Sequence, residues 1–348
     1  MTSDRKLISL REAQAPYFVG IDLGGTNIKF GLVDDRGESL AYLHVPTEVE
    51  KGPEDGARRM GAAVETLAEQ AGIKKSDIAR VGLATPGTMD IPAGKLLKPH
   101  NLPGWYDFPI RDRVSFHAGL SVTYANDANA AAYGEFWCGT GREYASLILL
   151  TLGTGVGGGV IIGDLVIDGE HSAGGEAGHI TIDCAPNARM CPCGRPGHLE
   201  AYASATAVVH RTREALEAGA TSSLSILAEN GDELTALRIG QAAEGGDEFA
   251  LEMVLETARY LGIGIATLVH VIDPAGVVLG GAMTFGEHET ELGRRFLARV
   301  KQEVVARSLE PIGDNLVIDF ATLGGDAGYI GAAGLARIQH KSNARISG

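Results

Sequence analysis

Cysteine, basic residues and long unbroken apolar stretches are all scarce in this chain of 348 residues. Lys and Arg number 30 against 44 Asp and Glu, for a formal net charge of −14. That balance lacks the basic patches that nucleic acids and anionic membranes require, which argues against both as partners. Four cysteines are too few for a disulfide framework, and a chain this long buries sizeable cores without one. The first fourteen residues are polar and mixed in charge with no apolar core, so a signal peptide is not expected and the protein is expected in the cytoplasm. One uncharged run, residues 145–163, is long enough to span a membrane. Its centre, Gly153-Thr154-Gly155-Val156-Gly157-Gly158-Gly159, would break a lone helix, and the flanking apolar runs read as two strands instead. No Pro- or Ser-rich linker divides the chain, although its length predicts two domains or one large α/β body.

Glycine is the residue in excess. It supplies 48 of 348 positions, about 14%, roughly twice its usual share. With no collagen-like period and no low-complexity tract, this excess is expected in tight turns and ligand loops.

The chain opens with strands at 17–22, 28–33 and 39–45, a meander whose first turn is glycine-rich. Pro53 starts a helix with Ala57, Met60, Ala63, Val64, Leu67 and Ala71 at helical spacing, stopped by Gly72. Strands follow at 78–84 and 122–125, and Asp127 opens an alanine-rich helix to about Trp137. Then the opening theme recurs: a strand at 147–152, a glycine turn at 153–159, and a strand at 160–162. Two halves that each begin strand, glycine turn, strand suggest a duplicated architecture, with the boundary near Thr123. Helices are predicted at 204–218, 247–270, 290–308 and 327–338, with strands at 277–279 and 316–320.

Asp22-Leu23-Gly24-Gly25-Thr26-Asn27 joins two strands and matches neither common nucleotide-loop pattern. Its chemistry still suits polyphosphate: glycines let backbone N–H groups approach phosphate oxygens, the Thr26 hydroxyl adds a donor, and a carboxylate at the strand end can hold magnesium. Gly153-Thr154-Gly155 supplies a second loop of the same kind. Asn126-Asp127-Ala128-Asn129 lies where a strand gives way to a helix. Asp there is ordinarily an N-cap; the functional reading is a base that accepts a hydroxyl proton. The helix N-terminus keeps such a carboxylate ionised and therefore weakly basic, which suffices for phosphoryl transfer with a loose transition state. His179, Cys191, Cys193 and His198 form a set of four N and S donors with no open position, suited to structural zinc.

These motifs, with Gly175-Glu176-Ala177-Gly178-His179 and Cys191-Pro192-Cys193-Gly194-Arg195-Pro196-Gly197-His198-Leu199-Glu200, follow one another in an order that resembles ROK-family sugar kinases, most of all bacterial glucokinases. The resemblance runs from about Tyr17 to Arg337. It implies the actin-like ATPase fold, a duplicated ribonuclease H-like α/β architecture of two domains flanking a cleft: residues 1–123 closed by the helix at 327–338, and a larger domain 124–326 carrying the zinc knuckle. It implies Asp127 as the catalytic base and Gly87, Asn101, Asn126, Asp127, Glu176, His179 and Glu200 as hexose contacts. Asp22, Gly24, Gly25, Thr26, Asn27, Lys29, Gly153, Thr154 and Gly155 would contact ATP phosphates and Mg²⁺, with Gly280 and Gly281 on the adenosine side. His179 would serve sugar and zinc through different ring nitrogens. The family pattern has Cys where this chain has His198, so Cys184 is an alternative fourth ligand. The implied activity is ATP-dependent phosphorylation of a hexose 6-hydroxyl, glucose foremost, by a homodimer. N-acetylmannosamine or N-acetylglucosamine are alternative substrates. A sugar-responsive repressor is the alternative of another class; about sixteen residues before the first glycine-rich segment are too few for a helix-turn-helix, and the charge does not suit DNA.

Overall fold

The computed structural model describes residues 5–99, 101–225 and 233–347. Its first sheet begins with the predicted meander, β1 (Tyr17–Leu23), β2 (Asn27–Val33) and β3 (Ser39–Pro46). Helix α1 (Pro53–Ala71) has Pro53 at its first turn and ends at Gly72 in the left-handed conformation. Next come β4 (Ile78–Thr85), a small hairpin of β5 (Met89–Asp90) and β6 (Lys95–Leu96), then α2 (Ile110–Ala118), β7 (Val122–Asn126) and α3 (Asp127–Trp137). β4 and β7 join β1 in parallel, giving the order β3-β2-β1-β4-β7. The register sets Asp22 beside Ala84, and Thr85 beside Asn126, so three parallel strands end along one edge. Loops at such carboxyl ends are where open α/β sheets bind ligands.

Alternation along β1 sends Val19, Ile21 and Leu23 to one face, where they pack with Met60 and Val64 of α1 and Val114 of α2. Phe18 on the other face packs with Tyr329, Ile330, Ala333 and Ala336 of the C-terminal helix Ala327–Ser347. That contact is unusually close for a reason written in the register. Gly20 pairs with Gly31 on β2 and with Gly82 on β4, a row of three glycines across the sheet. A Cβ on Gly20 would lie 1.8 Å from the Tyr329 carbonyl oxygen, and one on Gly82 would lie 1.8 Å from that of Ala332. The helix backbone thus rests directly on the strand backbones. Part of the glycine excess is packing, a correction to its assignment to turns and ligand loops.

The C-terminal helix also meets α3 closely: a Cβ at Gly331 would stand 1.6 Å from the Ala130 carbonyl oxygen. Gly331→Ala is expected to destabilise the protein by about 3 kcal/mol, the upper part of the usual overpacking range. A lowered thermal midpoint, with residual activity at low temperature, is the expected observation.

Contacts divide the chain into two units. The first comprises Met1–Glu143, Gly159–Gly175 and Leu323–Gly348, and the second Tyr144–Gly158 and Glu176–Thr322. α3, and Asp127 with it, belongs to the first unit because it packs on the C-terminal helix; the boundary near Thr123 divides the chain differently.

The second sheet repeats the motif of the first. β8 (Ser146–Leu152) and β9 (Val156–Ile162) form the glycine-turn hairpin, followed by β10 (Leu165–Val166), β11 (Gly276–Gly280) and β12 (Val317–Phe320). The order is β10-β9-β8-β11-β12, with β11 parallel to both β8 and β12. The uncharged run is therefore two strands, as its glycines predicted. The turn is shorter than expected, because Gly157, Gly158 and Gly159 lie inside β9. At Gly159 the reason is again packing, since a Cβ there would come 2.5 Å from Ala132 Cβ on α3. Among the described residues, the helix Glu248–Ile272 is long and apolar enough to cross a membrane. Here it carries Val254, Leu261, Ile265 and Val269 fully buried, and it packs on the helix Glu291–Arg307 where Gly262 faces Glu303.

Candidate active-site residues in each unit

In the first unit, the predicted residues from β1, β4 and β7 gather at one strand edge. Asp22, the penultimate residue of β1, lies on the face covered by the C-terminal helix, where Gly328 leaves room for its carboxylate. Its side chain is 18% exposed, and Lys29 Nζ stands 3.8 Å from Oδ2. Burial pushes the Asp22 carboxyl above its ordinary range, opposed by the Lys29 ammonium. The same ammonium donates to the Gly325 carbonyl at 2.9 Å.

The turn after Asp22 is held by backbone and hydroxyl groups. Gly24 N donates to Asn27 O at 3.0 Å, and Thr47 Oγ donates to Gly24 O at 2.6 Å. Thr26 and Asn27 are exposed. Gly25 lies against Asn101, whose carbonyl oxygen would be 3.0 Å from a Cβ at that position, so a predicted hexose residue and a predicted phosphate residue are neighbours. Gly87, beyond the end of β4, is exposed with φ +85°.

At the end of β7, Asn126 is the helix cap. Its Oδ1 accepts from Ala128 N at 2.8 Å and Asn129 N at 3.2 Å. Asp127 is the first helical residue; its Oδ1 accepts from Ala128 N at 2.8 Å. The ordinary capping duty thus falls mainly to the neighbour, and the half-buried Asp127 carboxylate sits at the positive end of α3.

Two contributors here were missed from sequence. Thr47, fully buried, orders the glycine turn through its hydroxyl and through its backbone N–H, which donates to Thr26 O at 2.8 Å. Asn129, in the first turn of α3, donates through Nδ2 to Asp168 Oδ1 at 2.9 Å, and burial raises the Asp168 carboxyl against that bond. Neither carries a spacing signal, because each acts across 20 or more residues.

The second unit gathers the remaining candidates around the β8–β9 turn. Gly153 O and Thr154 O accept from Ala205 N at 2.9 Å and Thr206 Oγ at 2.8 Å, at the start of the helix Ala205–Glu217. Gly281, φ +97°, packs on Leu152, and Met283 N donates to Leu152 O at 3.0 Å, which sets the segment predicted for the adenosine side against this turn. Glu200 Oε2 accepts from Val156 N at 2.9 Å and occupies the space a Cβ on Gly155 would need. Its other oxygen lies 3.6 Å from Cys191 Sγ. Gly178 packs equally closely on the Val156 carbonyl.

The donor atoms of His179, Cys191, Cys193 and His198 all lie within 4.8 Å of one another. His179 Nδ1 is 3.3 Å from His198 Nδ1 and 3.8 Å from Cys191 Sγ, and Cys193 Sγ is 3.3 Å from His198 Nδ1. Tetrahedral zinc, with bonds of about 2.0 Å to nitrogen and about 2.3 Å to sulfur, spaces paired nitrogens by about 3.3 Å and nitrogen–sulfur pairs by about 3.6 Å. The four residues fit that ion, and Cys184, exposed, is not one of the group. His179 turns its other nitrogen the opposite way, Nε2 lying 3.9 Å from Glu176 Oε2.

The sequence matches the ROK family over residues 18–339, and the chain belongs to that family. It is 34% identical over 326 residues to a glucokinase of Halalkalibacterium halodurans, covering 94% of this chain and 96% of that protein. Among solved structures, a ROK hexokinase from Thermus thermophilus is 34% identical with a TM-score of 0.79, over 94% of this chain and 99% of the other. A ROK glucokinase from Streptomyces griseus, in complex with glucose and AMPPNP, is 33% identical with a TM-score of 0.72, over 92% and 99%. The fold shared with these neighbours is that of actin-like ATPases.

Proposed function

We propose that this protein is an ATP-dependent sugar kinase of the glucokinase type, which transfers the terminal phosphoryl group of ATP to the 6-hydroxyl of glucose. The observation that carries this reading is the common edge of β1, β4 and β7, which lines up the Gly24–Asn27 turn, Gly87 and the Asn126–Asp127 pair. The glucose- and AMPPNP-bound relative supports both substrates. Asp127 accepts the hydroxyl proton as the sugar oxygen forms its bond to phosphorus and the bond to the ADP oxygen breaks. Asn101, Asn126, Glu176, His179 and Glu200 are the side chains read as hexose contacts, with Gly87 beside the end of β4. The turn at Gly24 and Gly25, with Thr26, Asn27 and Lys29, and the turn at Gly153 and Gly155, with Thr154, would serve phosphate binding, and Asp22 would be the carboxylate for the magnesium ion that accompanies ATP. Gly280 and Gly281 admit the adenosine.

His179, Cys191, Cys193 and His198 would hold a structural zinc, which fixes the segment between Glu176 and Glu200 and takes no part in the chemistry. We place the enzyme in the cytoplasm as a homodimer.

The discriminating experiment is a matrix of sugars (glucose, mannose, N-acetylglucosamine, N-acetylmannosamine) against donors (ATP, ADP, polyphosphate). Glucose with ATP is expected to give the highest kcat/KM, exceeding the acetamido sugars by at least about tenfold. A preference for N-acetylmannosamine moves the assignment to that kinase, and no transfer to any sugar ends it.

A further inference from the structure

The segment ahead of β1 lies outside the family match, which begins at residue 18, yet it is tied down along its described length. Ile8 N donates to Ser39 O at 2.9 Å, and Ile8 and Ala13 pack on the core of the first unit. Arg36 Nη2 donates to Glu12 O at 2.7 Å, Gln14 N to Asp34 Oδ2 at 2.9 Å, and Asp35 N to Gln14 O at 2.8 Å. Its far end is the most specific contact. Arg5 forms a fork on Asp326, Nε to Oδ2 at 2.6 Å and Nη2 to Oδ1 at 2.5 Å, while its guanidinium stacks 3.4 Å above the Tyr42 ring. Both side chains are about four-fifths covered, at 23% and 19% exposure. A planar, two-bonded, partly desolvated pair of this kind outweighs an exposed ion pair.

Asp326 ends the short turn Gly324–Asp326 that precedes the C-terminal helix. The middle residue of that turn, Gly325, supplies the carbonyl that anchors Lys29 Nζ, and Lys29 stands beside Asp22. We propose that the N-terminal segment is a strap, and that Arg5 is a positioning residue for phosphoryl-donor binding: it holds Asp326, Asp326 holds the Gly325 carbonyl, and that carbonyl aims Lys29 beside Asp22. The strap itself touches no substrate. The inference rests on the reading of Asp22 and Lys29 as phosphate-side residues, and goes beyond it by giving this chain's own leader a part in donor binding. A small displacement of a group that orients a substrate has kinetic effects out of proportion to its effect on stability.

The test uses the full chain and compares Arg5→Ala, Arg5→Lys, the exchanged pair Arg5→Asp with Asp326→Arg, and Lys29→Met. Arg5→Ala is expected to raise the ATP KM about fivefold or more while the glucose KM stays within about twofold. Arg5→Lys, which keeps charge but not the fork, falls between, and the exchanged pair returns toward the native ATP KM. An unchanged ATP KM in Arg5→Ala overturns the proposal. So does a loss shared equally by kcat and both KM values alongside a lowered melting temperature, which is the mark of a structural role alone. Lys29→Met separates the two levels: if it raises the ATP KM and Arg5→Ala does not, the strap alone is wrong, and if it leaves the ATP KM unchanged, the phosphate-side reading beneath it is wrong.

Discussion

Asp127→Ala lowers kcat by at least about a hundredfold, the lower end of what a positioned general base contributes, while glucose still binds. The expectation follows from the division of labour at the end of β7. Asn126 caps α3 through two backbone N–H groups, so removing the Asp127 carboxylate leaves the helix start largely intact. The alanine protein should fold, and calorimetry should find a glucose Kd within about tenfold of the native value, because Asn101, Asn126, Glu176, His179 and Glu200 remain. Asp127→Asn is the stricter variant. It keeps the shape and an acceptor oxygen but cannot take up a proton, and it should be nearly as slow. Near-native turnover in either variant sinks the assignment of the base, even though the carboxylate at the N-terminus of α3 is only a weak one. In a loose phosphoryl-transfer transition state, orientation of the hydroxyl counts for more than early proton removal.

Loss of the proposed zinc is the second large expected effect. Protein purified without added zinc is expected to contain about one zinc per chain, and Cys191→Ser or His198→Ala to contain almost none. Structural zinc contributes about 10 kcal/mol or more to the folding of small zinc domains, so both variants should melt well below the native protein. The kinetic signature is more specific. Glu200 lies between Cys191 Sγ and Val156 N, and His179 offers one nitrogen to the cluster and the other toward Glu176. Loosening the knuckle should disturb these proposed hexose contacts first, so the glucose KM should rise more than the ATP KM. A metal-free preparation that is folded and fully active would remove the zinc assignment.

How legible all this is in the sequence differs from one feature to the next. Local chemistry was readable wherever neighbours in sequence are neighbours in space. Pro53 and Gly72 bound α1 as expected, the strand-to-helix junction falls at Asn126–Asp127, and the uncharged run is a hairpin. The cluster of His179, Cys191, Cys193 and His198 was likewise visible as residue types, because side chains from one connecting segment are drawn together by short tethers. Asp127 as the cap was a reasonable expectation from residue preference, yet Asn126 is better placed. Preference for the cap is shared by both residues, and the end of β7 decides which of them faces the free N–H groups.

What the amino-acid sequence determined by itself was the order of motifs, the positions of the glycine hairpins and the family. These depend on local backbone preference and on residue types that the chemistry cannot exchange. Only the tertiary structure decided that Gly20, Gly31 and Gly82 form one row under a helix more than 240 residues further along, that Gly159 yields to α3, and that Arg5 reaches Asp326. Close packing and ion pairs between distant segments are set by strand register and by the path of the chain. A glycine or an arginine reads the same in a string of letters whatever it will eventually touch.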